Sequence, residues 1–205
     1  MRSRRVASTV DTPFLTFRPE RIMQLFQSRL ETPMGAMLLV TDRQDTIHAL
    51  EFASHVSRLY RGLSERYGVS EFASRSVPEP ISRAVEEYFA GELSAINALS
   101  TATAGTDLQQ RVWHALRSVP PGTTTTSGKL AKALGFDDPR AAIDVGAANA
   151  ANPVAIVVPC HRVIASNGDL KGYAWGVHRK RWLLGHEKVP AFAGRVPYAM
   201  SLPGF

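Results

Sequence analysis

Apolar positions between Leu25 and Phe52 fall in short runs of strand character, with Leu30 and Met37-Leu38-Leu39-Val40 on either side of Pro33-Met34-Gly35. A Pro/Gly turn signal between two such runs predicts a β-hairpin. After Phe52 the period changes. Val56, Leu59, Tyr60, Leu63 and Tyr67 recur at i, i+3, i+4, i+7 spacing, which predicts a helix capped by Ser54 and ended by Gly68. A second short helix is expected from about Pro80 to Ala90, with Ile81, Val85, Tyr88 and Phe89 inward and Gly91 as its stop. Strands followed by helices make a small α/β unit.

Residues 92–105, rich in Ser, Thr, Ala and Gly, read as a connector. Beyond it Thr106-Asp107-Leu108-Gln109 matches a capping box, with Leu108, Val112, Trp113 and Leu116 as the buried helix face and Pro120-Pro121-Gly122 as the stop. Ser127–Leu134 reads as a short helix stopped by Gly135, and 139–151 as a second with Pro at its first turn. Two helices joined by a tight Gly-containing turn are a helix-turn-helix candidate. The second is built almost wholly of small residues, which let its backbone approach a partner closely, either another helix or DNA. The expected class is α/β plus α. The expected divisions are a tail over 1–21, an N-terminal domain over 22–100, a C-terminal domain over 101–190, and a tail over 191–205.

Charge sharpens this division. The net charge of +6 is uneven: residues 1–100 hold 12 Arg against 12 Asp and Glu, whereas 101–190 hold 11 Lys and Arg against 6 acids. A basic surplus is the sequence-independent part of nucleic-acid affinity, so DNA is expected on the second half. No stretch approaches the ~20 apolar residues that span a bilayer, and the basic start Met1-Arg-Ser-Arg-Arg lacks the apolar core of a signal peptide. A cytoplasmic location is expected, since a reactive thiol favours a reducing compartment.

The chain has one cysteine, in Pro159-Cys160-His161-Arg162-Val163, after the strand-like run Val154–Val158. A lone cysteine is most often a small buried hydrophobe, but this one has a base beside it and no disulfide partner. To attack carbon it must become a thiolate, and an ordinary thiol near pKa ~8.5 is mostly protonated at neutral pH. Neighbours in an extended segment point to opposite sides, so direct Cys160–His161 contact is awkward. One Cys with scattered His gives no zinc spacing, and a papain-like pair would lie far apart in sequence. No metal and no cofactor are expected.

Residues 152–164 closely resemble the active-site signature of the O-6-alkylguanine-DNA alkyltransferases, also called methylated-DNA–protein-cysteine methyltransferases. Tyr88-Phe89-Ala90-Gly91, Gln110–Leu116, Gly172–Lys180 and Leu183–Glu187 fit that family in the same order. The resemblance implies a ribonuclease-H-like N-terminal domain and a winged-helix-like C-terminal domain. It also implies a relay in which a water joins Cys160 to His161, Glu187 holds the other imidazole nitrogen, and Asn152 braces the turn. Val163 and Tyr173 would line the base pocket, with Trp175 near its mouth. The implied partner is double-stranded DNA carrying alkylated guanine, met through the minor groove by a monomer. The implied reaction is irreversible transfer of the alkyl group to Cys160, once per molecule.

Three positions depart from the family pattern. Ser127 stands where the family places a Tyr whose hydroxyl assists base rotation, and Ile143, nine residues before Asn152, stands where it places an Arg that fills the vacated stack. Leu108 replaces the usual Phe. An apolar Ile can itself serve as a minor-groove wedge. Asp144 beside it would be repelled by phosphates, while Arg140 offers a compensating charge. Two other readings are compatible with the sequence: a damage marker with weak or altered transfer, and a helix-turn-helix regulator that uses Cys160 as a sensor.

Overall fold

The computed structural model describes residues 23–68, 72–170 and 172–193. The predicted hairpin forms: β1 (Phe26–Leu30) and β2 (Met37–Thr41) pair antiparallel, and β3 (Ile47–Phe52) continues the meander. The short β4 (Ala73–Ser74) joins β1 in parallel, giving a mixed sheet of order β3-β2-β1-β4. Every residue of β2 and β3 is buried, as expected for strands covered on both faces. Alternation divides them. Leu38, Val40 and Ala49 pack with Leu59 and Leu63 of α1 (Val56–Tyr67), whereas Met37, Leu39, Leu50 and Phe52 face the opposite side and join the main core.

Ser54 does not cap α1. A 3-10 turn over Ala53–His55 precedes the helix, His55 occupies the cap position, and the Ser54 hydroxyl instead accepts from Arg179 Nη2 at 3.3 Å. Gly68 ends α1 with φ 64°, and Gly91 ends α2 (Glu79–Ala90) with φ 110°, both left-handed conformations that glycine adopts freely. Ile81, Val85 and Tyr88 point inward as predicted.

The connector at 92–105 is more ordered than its composition implies. It makes a 3-10 turn over Ala95–Ala98 that buries Ile96, then lies along the free edge of β3. There Ile47 N donates to Ser100 O at 2.9 Å and Ala102 N to Ile47 O at 3.0 Å. Further along the same edge, Leu50 N donates to Pro153 O at 3.0 Å and Ala155 N to Leu50 O at 2.8 Å. An edge strand must have its unpaired backbone groups covered; here the cover is the segment that leads to Cys160.

The remaining helices are α3 (Asp107–Arg117), α4 (Ser127–Ala133), α5 (Ala141–Ala150) and α6 (Val177–His186). The capping box on α3 is complete, with Thr106 and Gln109 bonding reciprocally. Thr126 caps α4 through Lys129 N at 3.2 Å. The small residues of α5 serve helix packing on one side, since a Cβ on Gly146 would lie 3.3 Å from Ser127 Oγ. Trp113 Nε1 fastens α3 to α5 through Ala148 O at 2.9 Å. No helix among the described residues is long and apolar enough to cross a membrane. The tails expected over 1–21 and 191–205 lie outside the described residues except at 191–193, where Phe192 is buried with Leu170, Leu184 and Val189 rather than free.

One apolar cluster runs from Leu30, through β3, to Leu183. Buried side chains such as Leu50 and Phe52 each contribute about 2 kcal/mol, so neither half can shed the other cheaply. A fragment beginning near Ala104 should therefore show no cooperative thermal unfolding alone, and should regain it when mixed with a 22–103 fragment. A sharp transition of the isolated fragment at the full-length Tm would refute this shared core.

Candidate active site at Cys160

The run Val154–Val158 was expected to be extended and is instead a tight buried turn. Val157 N donates to Ala155 O at 2.7 Å, Val158 N to Val154 O at 3.1 Å, and Cys160 N to Val158 O at 2.8 Å. Ile156 takes φ 69°, a left-handed conformation that costs a β-branched residue about 1–3 kcal/mol and persists only where the surroundings over-determine it. Burial of all five residues supplies that constraint. Asn152 supplies another: its Oδ1 accepts from Val154 N at 2.9 Å, and its Nδ2 lies 3.2 Å from Val154 O, 2.8 Å from Val158 O and 3.1 Å from Cys160 Sγ. Both ends of the turn are pinned by extended pairs, Leu50 with Val154 and Thr125 with Val163.

Cys160 and His161 do not lie in an extended segment. Cys160–Arg162 form one 3-10 turn, which directs His161 and Arg162 into the interior. His161 Nε2 meets Glu187 Oε1 at 2.8 Å. Arg162 grips the same carboxylate twice, Nε to Oε2 at 2.9 Å and Nη2 to Oε1 at 2.8 Å, and its Nη1 donates to Val119 O at 2.6 Å. The Tyr88 hydroxyl adds a fourth bond, to Oε1 at 2.9 Å. Burial alone would raise the Glu187 carboxyl, but His161 and Arg162 hold it far below the usual carboxylate range.

An ionised Glu187 needs a donor, so His161 carries its proton on Nε2. Burial pushes the imidazole down against the pull of Glu187, which favours the neutral ring. Its Nδ1 is then a bare lone pair, buried and without a hydrogen-bond partner. A nitrogen so placed has an acceptor site free for a proton. No direct hydrogen bond joins it to Cys160 among the described residues.

Burial pushes the Cys160 thiol up to about 11, with the Asn152 amide and the charges of Lys180 and Arg58 opposing. His161 and Glu187, the expected activators, are not among those opposing groups. The resting sulfur is therefore a protonated thiol, 3% exposed. Lys180 is itself fully buried and donates from Nζ to Val163 O.

Val163 and Tyr173 are buried near the thiol, and the Tyr173 hydroxyl has no partner. Trp175 is not at a mouth: it is 0% exposed, edge-on to Tyr173 at 5.0 Å, and covered by the Arg58 guanidinium at 5.0 Å. Ser127, Arg140 and Ile143 stand apart on the α4–α5 surface. Ser127 is half-buried against Gly146, Ile143 is 73% exposed, and Arg140 precedes α5 with its side chain in solvent, 3.9 Å from Asp138. Sequence reasoning missed Tyr88 and Arg162 as site residues, although both lie inside the quoted motifs. Lys180 was likewise present in a motif without a role. Arg58 carried no signal.

A single buried thiol, an imidazole backed by a carboxylate, and a separate two-helix surface fit a cysteine-acceptor transferase. Comparison with known proteins agrees. Residues 107–189 match the model for the 6-O-methylguanine DNA methyltransferase DNA-binding domain. The methylated-DNA–protein-cysteine methyltransferase of Salmonella typhimurium is 45% identical over 168 residues, covering 81% of this chain and 97% of its own. That of Methanosarcina acetivorans is 38% identical over 160 residues, covering 78% and 96%. The crystal structure of Mycobacterium tuberculosis OGT in complex with DNA aligns with TM-score 0.67 and 33% identity over 85% of this chain and 96% of that one. The O6-methylguanine-DNA methyltransferase of Pyrococcus kodakaraensis aligns with TM-score 0.60 and 28% identity over 80% and 99%. The chain belongs to the methylated-DNA–protein-cysteine methyltransferase family.

The thiol chemistry is directly measurable. Without DNA, the rate of Cys160 alkylation by a small haloacetamide should climb about tenfold per pH unit from pH 7 to 10, because only the thiolate reacts. A rate already flat above pH 8 would mean that the thiolate forms in the resting protein.

Proposed function

We infer that the protein repairs DNA by moving an alkyl group from O6 of guanine to Cys160 Sγ, once per molecule. The observation that carries this reading is the bare His161 Nδ1, held by Glu187 on the turn that presents the sulfur. The Cys160 proton passes through a water to Nδ1, which makes imidazolium beside an ionised Glu187. The sulfur then attacks the alkyl carbon in line. The C–S bond forms as the C–O6 bond breaks, and the guanine anion leaves and takes up a proton through solvent, balanced by the one the imidazolium gives back. The Asn152 amide steadies the thiolate at the moment it forms. The product is a thioether that no group in the site can hydrolyse, so turnover stops at one.

A thiol buried this deeply cannot reach a base inside a duplex. The alkylated nucleotide must be rotated out of the stack. The exposed side of α5 is the surface we assign to the minor groove, with Ile143 as an apolar wedge and Arg140 offering the nearby positive charge. Tyr173 and Val163 line the site that receives the base. One thiol and one base complete the chemistry, so a monomer suffices. The mixed sheet with α1 and α2 fits the ribonuclease-H-like reading of residues 22–100, and α3 to α6 fit the winged-helix-like reading of 101–190.

Intact-mass measurement after mixing with O6-methylguanine, in a duplex and as the free base, tests the reading. One methyl per molecule is expected, on Cys160, and none on Cys160→Ser. Ser127→Tyr with Ile143→Arg should speed the duplex reaction more than the free-base reaction, because only the duplex requires base rotation. Methyl uptake by Cys160→Ser, or none by the parent, would overturn the assignment.

A further inference from the structure

The carbonyls that end α5 are not left to solvent. Ala150 O accepts from Arg58 Nη2 at 3.1 Å, Ala151 O from Arg66 Nη2 at 3.2 Å, and Asn152 O from Arg58 Nη2 at 2.9 Å. Both arginines belong to α1, some ninety residues earlier in the chain. Cationic groups at a helix C-terminus satisfy its last carbonyls and oppose its negative end. Arg58 does more than cap. Its Nη1 is held by Glu51 Oε2 at 2.6 Å, and Glu51 is itself a buried residue of β3 that accepts from Phe52 N at 3.2 Å. Burial pushes the Glu51 carboxyl up to about 7, with Arg58 and Arg179 opposing. The Arg58 guanidinium also covers the Trp175 ring, against which Tyr173 packs.

This clamp meets the active site at Asn152. The residue whose backbone carbonyl Arg58 holds is the residue whose side-chain amide lies 3.1 Å from Cys160 Sγ. We propose that Arg58, oriented by Glu51, is a positioning residue for alkyl transfer: from the N-terminal half it fixes the Asn152 turn and keeps that amide on the sulfur. This proposal rests on the reading of Cys160 as the alkyl acceptor.

Geometry shows why a simpler residue would not serve. Three acceptors, one carboxylate oxygen and two carbonyls, surround one guanidinium, and a planar fork of five N–H donors satisfies them together. A Lys ammonium keeps the charge but cannot span that arrangement. The backbone pairing of Leu50 with Pro153 and Ala155 fixes the far side of the same turn. Without Arg58 the turn would keep its backbone pairings and the Arg66–Ala151 bond but lose the hold on the Asn152 carbonyl itself, so that the amide drifts from the sulfur while the fold persists.

The test compares wild type, Arg58→Met and Arg58→Lys in the full-length protein. Three quantities are read: the pH profile of Cys160 alkylation by iodoacetamide, the rate of methyl uptake from a methylated duplex, and the Tm. Arg58→Met should move the alkylation profile about one pH unit upward and slow methyl uptake about tenfold. Arg58→Lys should slow uptake at least threefold with a smaller displacement of the profile, because charge without the clamp is only partial rescue. A purely structural role would lower Tm and leave the profile in place. If Arg58→Met does not fold, Arg58→Lys decides, and a wild-type profile together with wild-type uptake in that variant overturns the proposal. If wild type itself takes no methyl group from DNA, the functional reading fails separately, while the iodoacetamide profile still reports whether Arg58 sets the thiol.

Discussion

A carboxylate taken out of water is unfavourable by several kcal/mol unless charge and hydrogen bonds replace its hydration, and the site is organised around one such group. Glu187, at the C-terminal end of α6, is buried and receives four hydrogen bonds from three residues on two other segments. Meeting that requirement turns Arg162 inward and aligns the His161 ring. It also joins Tyr88 of the N-terminal half to the nucleophile turn. Because the folded carboxyl lies below its ordinary value, the network's contribution to stability is complete at neutral pH. It is lost on acidification, as protons are forced onto the group.

The same arrangement separates proton removal from sulfur stabilisation. His161, with its lone pair directed away from Glu187, can take a proton but does not lower the resting thiol. Asn152, Lys180 and Arg58 favour the anion but cannot accept its proton. In the proposed mechanism burial keeps the sulfur protonated until both act together, which guards a one-use nucleophile against adventitious electrophiles. The surface assigned to DNA has different physics. Ile143 is an exposed apolar group on a helix of small residues, and Ser127 is tucked against Gly146 rather than reaching outward. The departures from the family pattern therefore lie outside the buried relay.

Much of this was legible in the sequence because it rests on local rules. The hairpin followed from a turn signal between apolar runs, α3 from its capping box, and the end of α1 from Gly68. The nucleophile followed from a five-residue string. The errors have a common origin. Val154–Val158 looks like a strand because it is continuously apolar, yet burial on all sides suits a compact turn equally well, and the left-handed Ile156 has no composition signature. The connector reads as a linker because small residues, Ser, Thr, Ala and Gly, make up most of it, whereas the need to cover the β3 edge orders it. Trp175 and Tyr88 were read from motif and periodicity, but their roles depend on Arg58 and Glu187. Contacts between residues more than ninety positions apart leave no local trace.

The central claim is that the His161 ring is neutral, with its proton on the Glu187 side and Nδ1 bare. Nitrogen-15 NMR of the imidazole distinguishes the tautomers in the resting protein. The account predicts a protonated Nε2 and an unprotonated Nδ1 at neutral pH. An imidazolium signal there, or a proton on Nδ1, would contradict it.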